Sequence, residues 1–377
     1  MSDLGPDTSA VLLPFHSRLA IDRLMLVFKD TTNSYKFYWL RAILQLTRNT
    51  RASAFTWEEL TQEMFAQVWY PLTYYKLSFG KKDGFIKIAE QLPAHLKINN
   101  APGAPSVIRQ VETLLSAQEK ERFYAAVLSL TNYVPFRFLR PFFQEEIAKV
   151  KDHDVNRAIA ACASRAARGS SHLAPYHFTS AGIVLHSEWR DYFLENLGLL
   201  DAFINWHLTR FLQRNNPNII GISQKLFKPE KRNLERSRKA WTLFRTESES
   251  CACIYSNAPL PANFSLDHFV PWSFVVHDLN WNLASVGKEV NSAKNDALPA
   301  EVYLGEFAEL QHQFYRFTRQ ARPDDLILED YALLFNDDLN EIDTMPAELF
   351  KGRLCDSIKP MIQIAQNAGF RSGWTYA

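Results

Sequence analysis

The chain has 377 residues, with 42 Lys and Arg against 41 Asp and Glu, a formal charge of +1. At 47% hydrophobic and 22% charged it can bury full cores, which excludes wholesale disorder; near-neutral charge excludes a uniformly basic nucleic-acid binder but not a local basic patch. Thirteen glycines are about half the usual share of roughly 7%, and with abundant Leu and Phe this points to a helical protein. Four cysteines (Cys162, Cys251, Cys253, Cys355) are too few for a disulfide scaffold and fit a reducing compartment. No basic, then apolar, leader opens the sequence, and no run approaches the roughly 18 apolar residues of a membrane-crossing helix, so the expectation is a soluble, cytoplasmic protein without a membrane partner.

In chain order, residues 15–50 read as two helices, the second capped by Thr32 or Asn33 and continued by Leu40, Ile43, Leu44 and Leu46 on one stripe. Three prolines and Gly103 make residues 92–106 a loop. Helical spacing returns at 107–130 and 140–168, with Pro135 and Pro141 between, and again at 188–212, where Asn215-Asn216-Pro217-Asn218 stops it. The aromatics Phe37, Tyr38, Trp39, Trp69, Tyr70, Tyr74 and Tyr75 are expected in the core. Residues 1–215 therefore read as a helical domain without readable chemistry of its own.

Charge is distributed unevenly after that point. Residues 210–245 hold ten bases against Glu230 and Glu235, so residues 216–250 read as a basic connector. A helix there would put Arg232, Arg236 and Lys239 on one face, suited to phosphates; Lys228, Lys231 and Arg238 extend the candidate nucleic-acid contacts. Residues 324–343 carry eight acids and no base, read as a solvated surface rather than a dock for a basic partner.

The segment that carries chemistry begins at Phe264-Ser265-Leu266-Asp267-His268, which alternates like a short strand ended by Pro271. Trp281-Asn282-Leu283 follows, then Asn291-Ser292-Ala293-Lys294-Asn295-Asp296-Ala297-Leu298-Pro299. Asn291 and Lys294, three apart, would share one face of a short helix stopped by Pro299. Asp and Asn oxygens suit Mg²⁺, and a neutral histidine can take a proton from water. Together they point to metal-assisted phosphodiester hydrolysis, with the basic run holding the polyanion.

These residues resemble the HNH (His-Me finger, ββα-metal) endonuclease family. The resemblance rests on Asp267-His268 followed by Pro and Ser, Asn282 fourteen residues after His268, Asn291 nine further on, and Lys294-x-Asp296-x-Leu298-Pro299. It implies His268 as general base, Asp267 and Asn291 as metal ligands, Asn282 as a brace behind the histidine counted with the catalytic set, and Lys294 at a position where a cation meets the phosphate. It also implies one divalent metal, Mg²⁺ ahead of Mn²⁺ or Ni²⁺, and DNA in preference to RNA. Many relatives hold a structural zinc with two Cys-x-x-Cys pairs; Cys251-Ala252-Cys253 has the wrong spacing, so a zinc-free finger is expected, built on Trp272, Phe274, Trp281 and Leu283. The flanks, Thr32–Phe37 and Cys253–Ser256, resemble bacterial HNH proteins of restriction and phage-defence systems, whose other components would dock on the helical domain. The expected class is mainly α with a small α+β insert: a helical domain (1–215), the basic connector (216–250), the finger (251–305) and a helical carboxy-terminal segment (306–377).

Overall fold

The computed structural model describes residues 12–92, 104–169, 173–228, 232–248 and 252–376. Among them the chain is mainly α-helical, with one three-stranded sheet and one two-stranded ribbon, and no helix is long and apolar enough to cross a membrane. Contacts divide the chain into two compact units, Met1–Pro217 with Ile222–Lys228, and Asn218–Gly221 with Pro229–Ala377.

The first unit contains α1 (Ile21–Met25), α2 (Tyr35–Thr50), α3 (Trp57–Trp69), α4 (Phe85–Ala89), α5 (Ala104–Leu114), α6 (Ala117–Leu128), α7 (Val134–Leu139), α8 (Val155–Arg168), α9 (Ser187–Glu195) and α10 (Leu197–Asn215). Helix α2 is its axis. Residues 37–44 are buried all round, the pattern of a helix enclosed by others, here α3, α7, α9 and α10. Six of the seven aromatics expected in the core are there, and Tyr74 is half-buried. The Trp39 indole donates to the Tyr176 hydroxyl (2.9 Å), which donates to the Pro135 carbonyl (2.6 Å), so these two buried side chains are satisfied.

The structure amends several local expectations. Ser34, not Thr32 or Asn33, precedes α2, and its Oγ and N–H both donate to Asp83 (2.7 and 2.8 Å). Residues 140–154 form turns and short 3₁₀ segments, so the helix read over 140–168 begins only at Val155. A sheet of β1 (Ala54–Thr56), β2 (Tyr176–Phe178) and β3 (Gly182–Leu185), ordered β1-β3-β2 and antiparallel, interrupts the helical domain. Strands of three or four residues are too short to show alternation. Gly182 is required there, since a Cβ would come within 1.9 Å of the Phe55 carbonyl oxygen.

The second unit contains α11 (Glu235–Glu247), β4 (Ser265–His268), α12 (Trp272–Val275), β5 (Leu283–Val286), α13 (Lys288–Lys294), α14 (Val302–Ala321), α15 (Glu329–Phe335), α16 (Leu339–Thr344) and α17 (Ala347–Asn367). Strands β4 and β5 pair antiparallel, with Asp267 opposite Ala284 and His268 opposite Leu283. Helix α14 repeats buried residues at helical spacing and spans the unit: Phe307 stacks on Phe269 and Phe314 on Trp241, each with ring centres 4.1 Å apart. Gln311, buried on α14, donates to the Leu283 carbonyl (2.5 Å) and accepts from Tyr331 (2.5 Å). The finger and the carboxy-terminal segment thus share one core instead of forming separate regions. The connector is not a linker throughout, since α11 buries Trp241 and Phe244 in the same core.

The acidic stretch is only in part a solvated surface: Asp324, Glu329, Asp338 and Glu341 are exposed, while others are engaged within the unit. Asp325 pairs with Arg236 and Arg322, Asp330 accepts two bonds from Asn280, Asp337 pairs with Arg353, Asp338 caps α16 and Asp343 binds Tyr315 and Arg319.

Candidate active site

Strand β4 ends with the adjacent candidates Asp267 and His268, and both are nearly enclosed: Asp267 is 3% exposed and His268 6%. Residues 269–271 leave β4 on an irregular path that the fully buried Asn282 holds. Its Oδ1 accepts from the Val270 N–H (2.8 Å), its Nδ2 donates to the Val270 carbonyl (2.9 Å), and its own carbonyl accepts from the Phe269 N–H (2.9 Å). An amide side chain is the group that can satisfy an adjacent N–H and C=O at once.

The histidine ring is held at both nitrogens. Nε2 lies 2.8 Å from Asp278 Oδ1, and Nδ1 lies 3.4 Å from a guanidinium nitrogen of Arg232, which also sits 5.2 Å above the Trp272 ring. A guanidinium only donates, so the network assigns the proton to Nε2, donated to Asp278, and leaves the Nδ1 lone pair toward Arg232. Burial lowers the His268 pKa below the ordinary histidine value; Arg232 adds to that, while Asp278 and Asp267 oppose it. The ring is therefore neutral at neutral pH, the state a proton acceptor requires.

Asp267 is surrounded by donors. Lys294 Nζ lies 3.0 Å from each carboxylate oxygen and donates to the His268 carbonyl (2.6 Å); the Tyr255 hydroxyl donates to Oδ2 (2.9 Å). Burial and then Asp267 itself push the Tyr255 phenol well above its ordinary pKa, so it stays a donor. Lys294 is fully buried. This corrects its expected place: the ammonium faces β4 and not the solvent, because one turn of α13 aims it back at Asp267. The helix ends at Lys294, where Asn295 takes a positive φ of 50°, five residues before the proline expected to stop it. Asn291 lies half-buried on α13.

The basic residues divide. Arg232 reaches His268, but from the segment before α11, not from the helix face it was expected to share. Arg236 pairs with Asp325 (3.0 Å) and Lys239 with Glu235 (2.8 Å). Arg238 donates to the Phe264 carbonyl (3.0 Å), pinning the entry to β4. Lys228 is exposed and belongs to the first unit; Lys231 and Cys251 lie outside the described residues. Cys253 is a buried thiol, and among the described residues no group of three or more His, Cys, Asp or Glu is placed to hold a metal. Trp272 is only half-buried beneath Arg232, while Phe274, Trp281 and Leu283 are core. His277, given no role by sequence, packs on Trp281 with ring centres 5.2 Å apart.

Two partners escaped the sequence reading, Asp278 and Tyr255. The only signal for Asp278 was a carboxylate in the loop between two short strands; Tyr255 lay in the quoted Cys253–Ser256 lead-in.

The Asp267 carboxylate and the Asn291 amide oxygen are the two donors the sequence offered for a divalent ion, and the carboxylate is engaged by Lys294 and Tyr255. These hard oxygen donors fit Mg²⁺ in kind, with the ion sharing Asp267 with the Lys294 ammonium. Compared with known proteins, residues 253–300 match the family model described as HNH endonuclease, a family generally of endonucleases that use a divalent metal. No curated protein and no solved structure gives a significant match to the chain. Residues 253–300, with the β4–β5 ribbon, the Asp267-His268 pair and α13, are an HNH endonuclease domain.

Proposed function

We propose that the chain is a metal-dependent endonuclease that hydrolyses phosphodiester bonds of DNA, acting in the cytoplasm as the nuclease component of a bacterial restriction or anti-phage defence system. The observation that carries the reading is His268: neutral, oriented through Nε2 by Asp278, and fixed in place by the bonds of Asn282 to the following residues. Its Nδ1, once Arg232 turns from it to a phosphate, is the atom that accepts the proton of the attacking water. Arg232 borders that nitrogen and supplies positive charge for a phosphate, the role Lys294 was expected to fill. A bound Mg²⁺ supplies charge neutralisation at the scissile phosphate and its leaving oxygen. Lys294 and Tyr255 fix the carboxylate that would hold it.

The engaged state of Asp267 favours a second reading, a nuclease latent until DNA or a partner protein rearranges the site. Both readings are tested with supercoiled plasmid, Mg²⁺ or Mn²⁺, and the His268→Ala variant at low salt. Nicking or linearisation by wild type, reduced about 10²–10⁴-fold in His268→Ala, is expected. Equal cleavage by the two proteins would refute His268 as base. Intact plasmid until a partner is added would select latency.

A further inference from the structure

The Thr32–Phe37 stretch has no part in the HNH domain, yet it borders a cleft of the first unit. The cleft has a volume of about 520 Å³ and is bounded by the Leu26–Lys36 segment on one side and by residues 133–144 on the other. Four cations line it, Lys29, Lys36, Arg137 and Arg140, against the single carboxylate of Asp30.

These cations are incompletely neutralised. Lys36 Nζ donates to the carbonyls of Val27 and Asp30, both at 3.0 Å, which uses two of its three protons. Burial pulls its pKa down to about 8, and Arg140 and Arg137 push the same way against Asp30. Arg137 forms a fork with Asp152, whose carboxylate is 80% exposed and therefore weakly held. Arg140 is exposed. A cleft that gathers four cations against one carboxylate, one of them an exposed guanidinium, suits an anion.

The chemistry narrows the anion. Four cations call for more than one negative charge, and the guanidinium forks of Arg137 and Arg140 suit phosphate oxygens. The hydroxyls of Thr31 and Thr32 line the same wall. Tyr133 borders the cleft and is 65% exposed, offering a π-face on which a base can stack. The volume lies within the roughly 300–1,000 Å³ of small-molecule sites. We infer that the helical unit binds a nucleotide carrying two or more phosphate groups in this cleft, with the phosphates on Arg140, Lys36 and Arg137 and the base on Tyr133.

Calorimetric titration of the full-length protein in EDTA, which silences metal-dependent cleavage, tests this apart from the nuclease reading. The titrants are ATP, GTP, pyrophosphate, adenosine and a short oligodeoxynucleotide. ATP or GTP is expected to bind, adenosine is not, and Arg140→Glu is expected to weaken the nucleotide about ten- to a hundredfold. Tyr133→Ala is expected to weaken the nucleotide more than pyrophosphate. Both variants alter exposed side chains, and unchanged circular dichroism would confirm their folding. Absence of nucleotide binding, or binding indifferent to Arg140→Glu, overturns the inference. So does oligonucleotide binding that depends on Arg140 while ATP has no effect, since the cleft would then be part of a strand-binding surface. Pyrophosphate equal to ATP with Tyr133→Ala silent overturns the base contact and with it the nucleotide.

Discussion

Replacing Lys294 by Met keeps the length of the stem and removes the ammonium. In the structure that ammonium is fully buried and serves three oxygens, two of Asp267 at 3.0 Å and the His268 carbonyl at 2.6 Å. Removing one partner of a buried pair leaves the other charge without compensation, and such losses run to about 3–5 kcal/mol. Only Tyr255 would remain on the carboxylate, which places this site within that range. For a unit of about 150 residues the melting point should fall by about 6–20 °C. Differential scanning calorimetry of wild type, Lys294→Met and the double variant Lys294→Met/Asp267→Asn measures it. The double variant removes both charges while keeping an acceptor for Tyr255, so it should recover more than half of the loss. Magnesium should then stabilise Lys294→Met more than wild type, because no ammonium competes for Asp267; at a hundred times its Kd an ion adds about 2.7 kcal/mol. A single variant within about 1 kcal/mol of wild type, or a double variant no better than the single, would refute the pair as the bond that fastens α13 to β4. Equal stabilisation of both proteins by magnesium would refute the competition.

Two further predictions rest on other residues. Asp278→Asn offers N–H groups toward His268 Nε2 and so favours the tautomer with the proton on Nδ1; single-turnover cleavage should slow by about 10²–10⁴-fold with little change in DNA affinity, and a loss below about threefold would remove Asp278 from the mechanism. Lys225 is fully buried in the first unit, and burial pulls its ammonium from 10.5 down to about 7. Between those values the unfolded chain binds the proton that the folded chain has released, so stability should rise with pH from about 7 to 10.5, and Lys225→Met should flatten that rise. Urea unfolding at pH 6 to 10 reads both, and a pH-independent midpoint in wild type would contradict the argument.

The HNH segment was legible because its chemistry is written in neighbouring residues. Asp267 and His268 are adjacent, a strand signal surrounds them, and the Asn282, Asn291 and Lys294 spacings fall within about 30 residues. The predominance of helix was likewise visible in the scarcity of glycine and in the apolar stripe of α2. What sequence hid were pairings across long separations. Nothing local announces that Lys294 turns inward to Asp267, that Arg238 holds the Phe264 carbonyl, or that Asp330 receives both donors of Asn280 fifty residues away. Charge runs were misleading for the same reason: a run of like charges looks solvated when its partners lie elsewhere in the chain, as Arg236 does for Asp325. The sheet of the first unit was lost because its strands come from residues 54–56 and 176–185, each too brief to alternate.

The Tyr255 hydroxyl that steadies Asp267 is itself steadied from far along the chain. Its ring meets Trp374 edge-on at 5.1 Å, and Trp374 and Arg371 are sewn to residues 298–300 by three backbone hydrogen bonds of 2.8–3.0 Å. A ribosome makes Trp374 about a hundred residues after Asp267. Domains fold as units, so a growing chain carries the β4–β5 residues for some time before the wall behind Tyr255 exists. The geometry around Asp267 is completed only when Arg371–Trp374 closes against the residues that follow α13, which makes the clasp a timer: a chain halted before residue 370 carries every candidate catalytic residue but lacks the wall behind Tyr255.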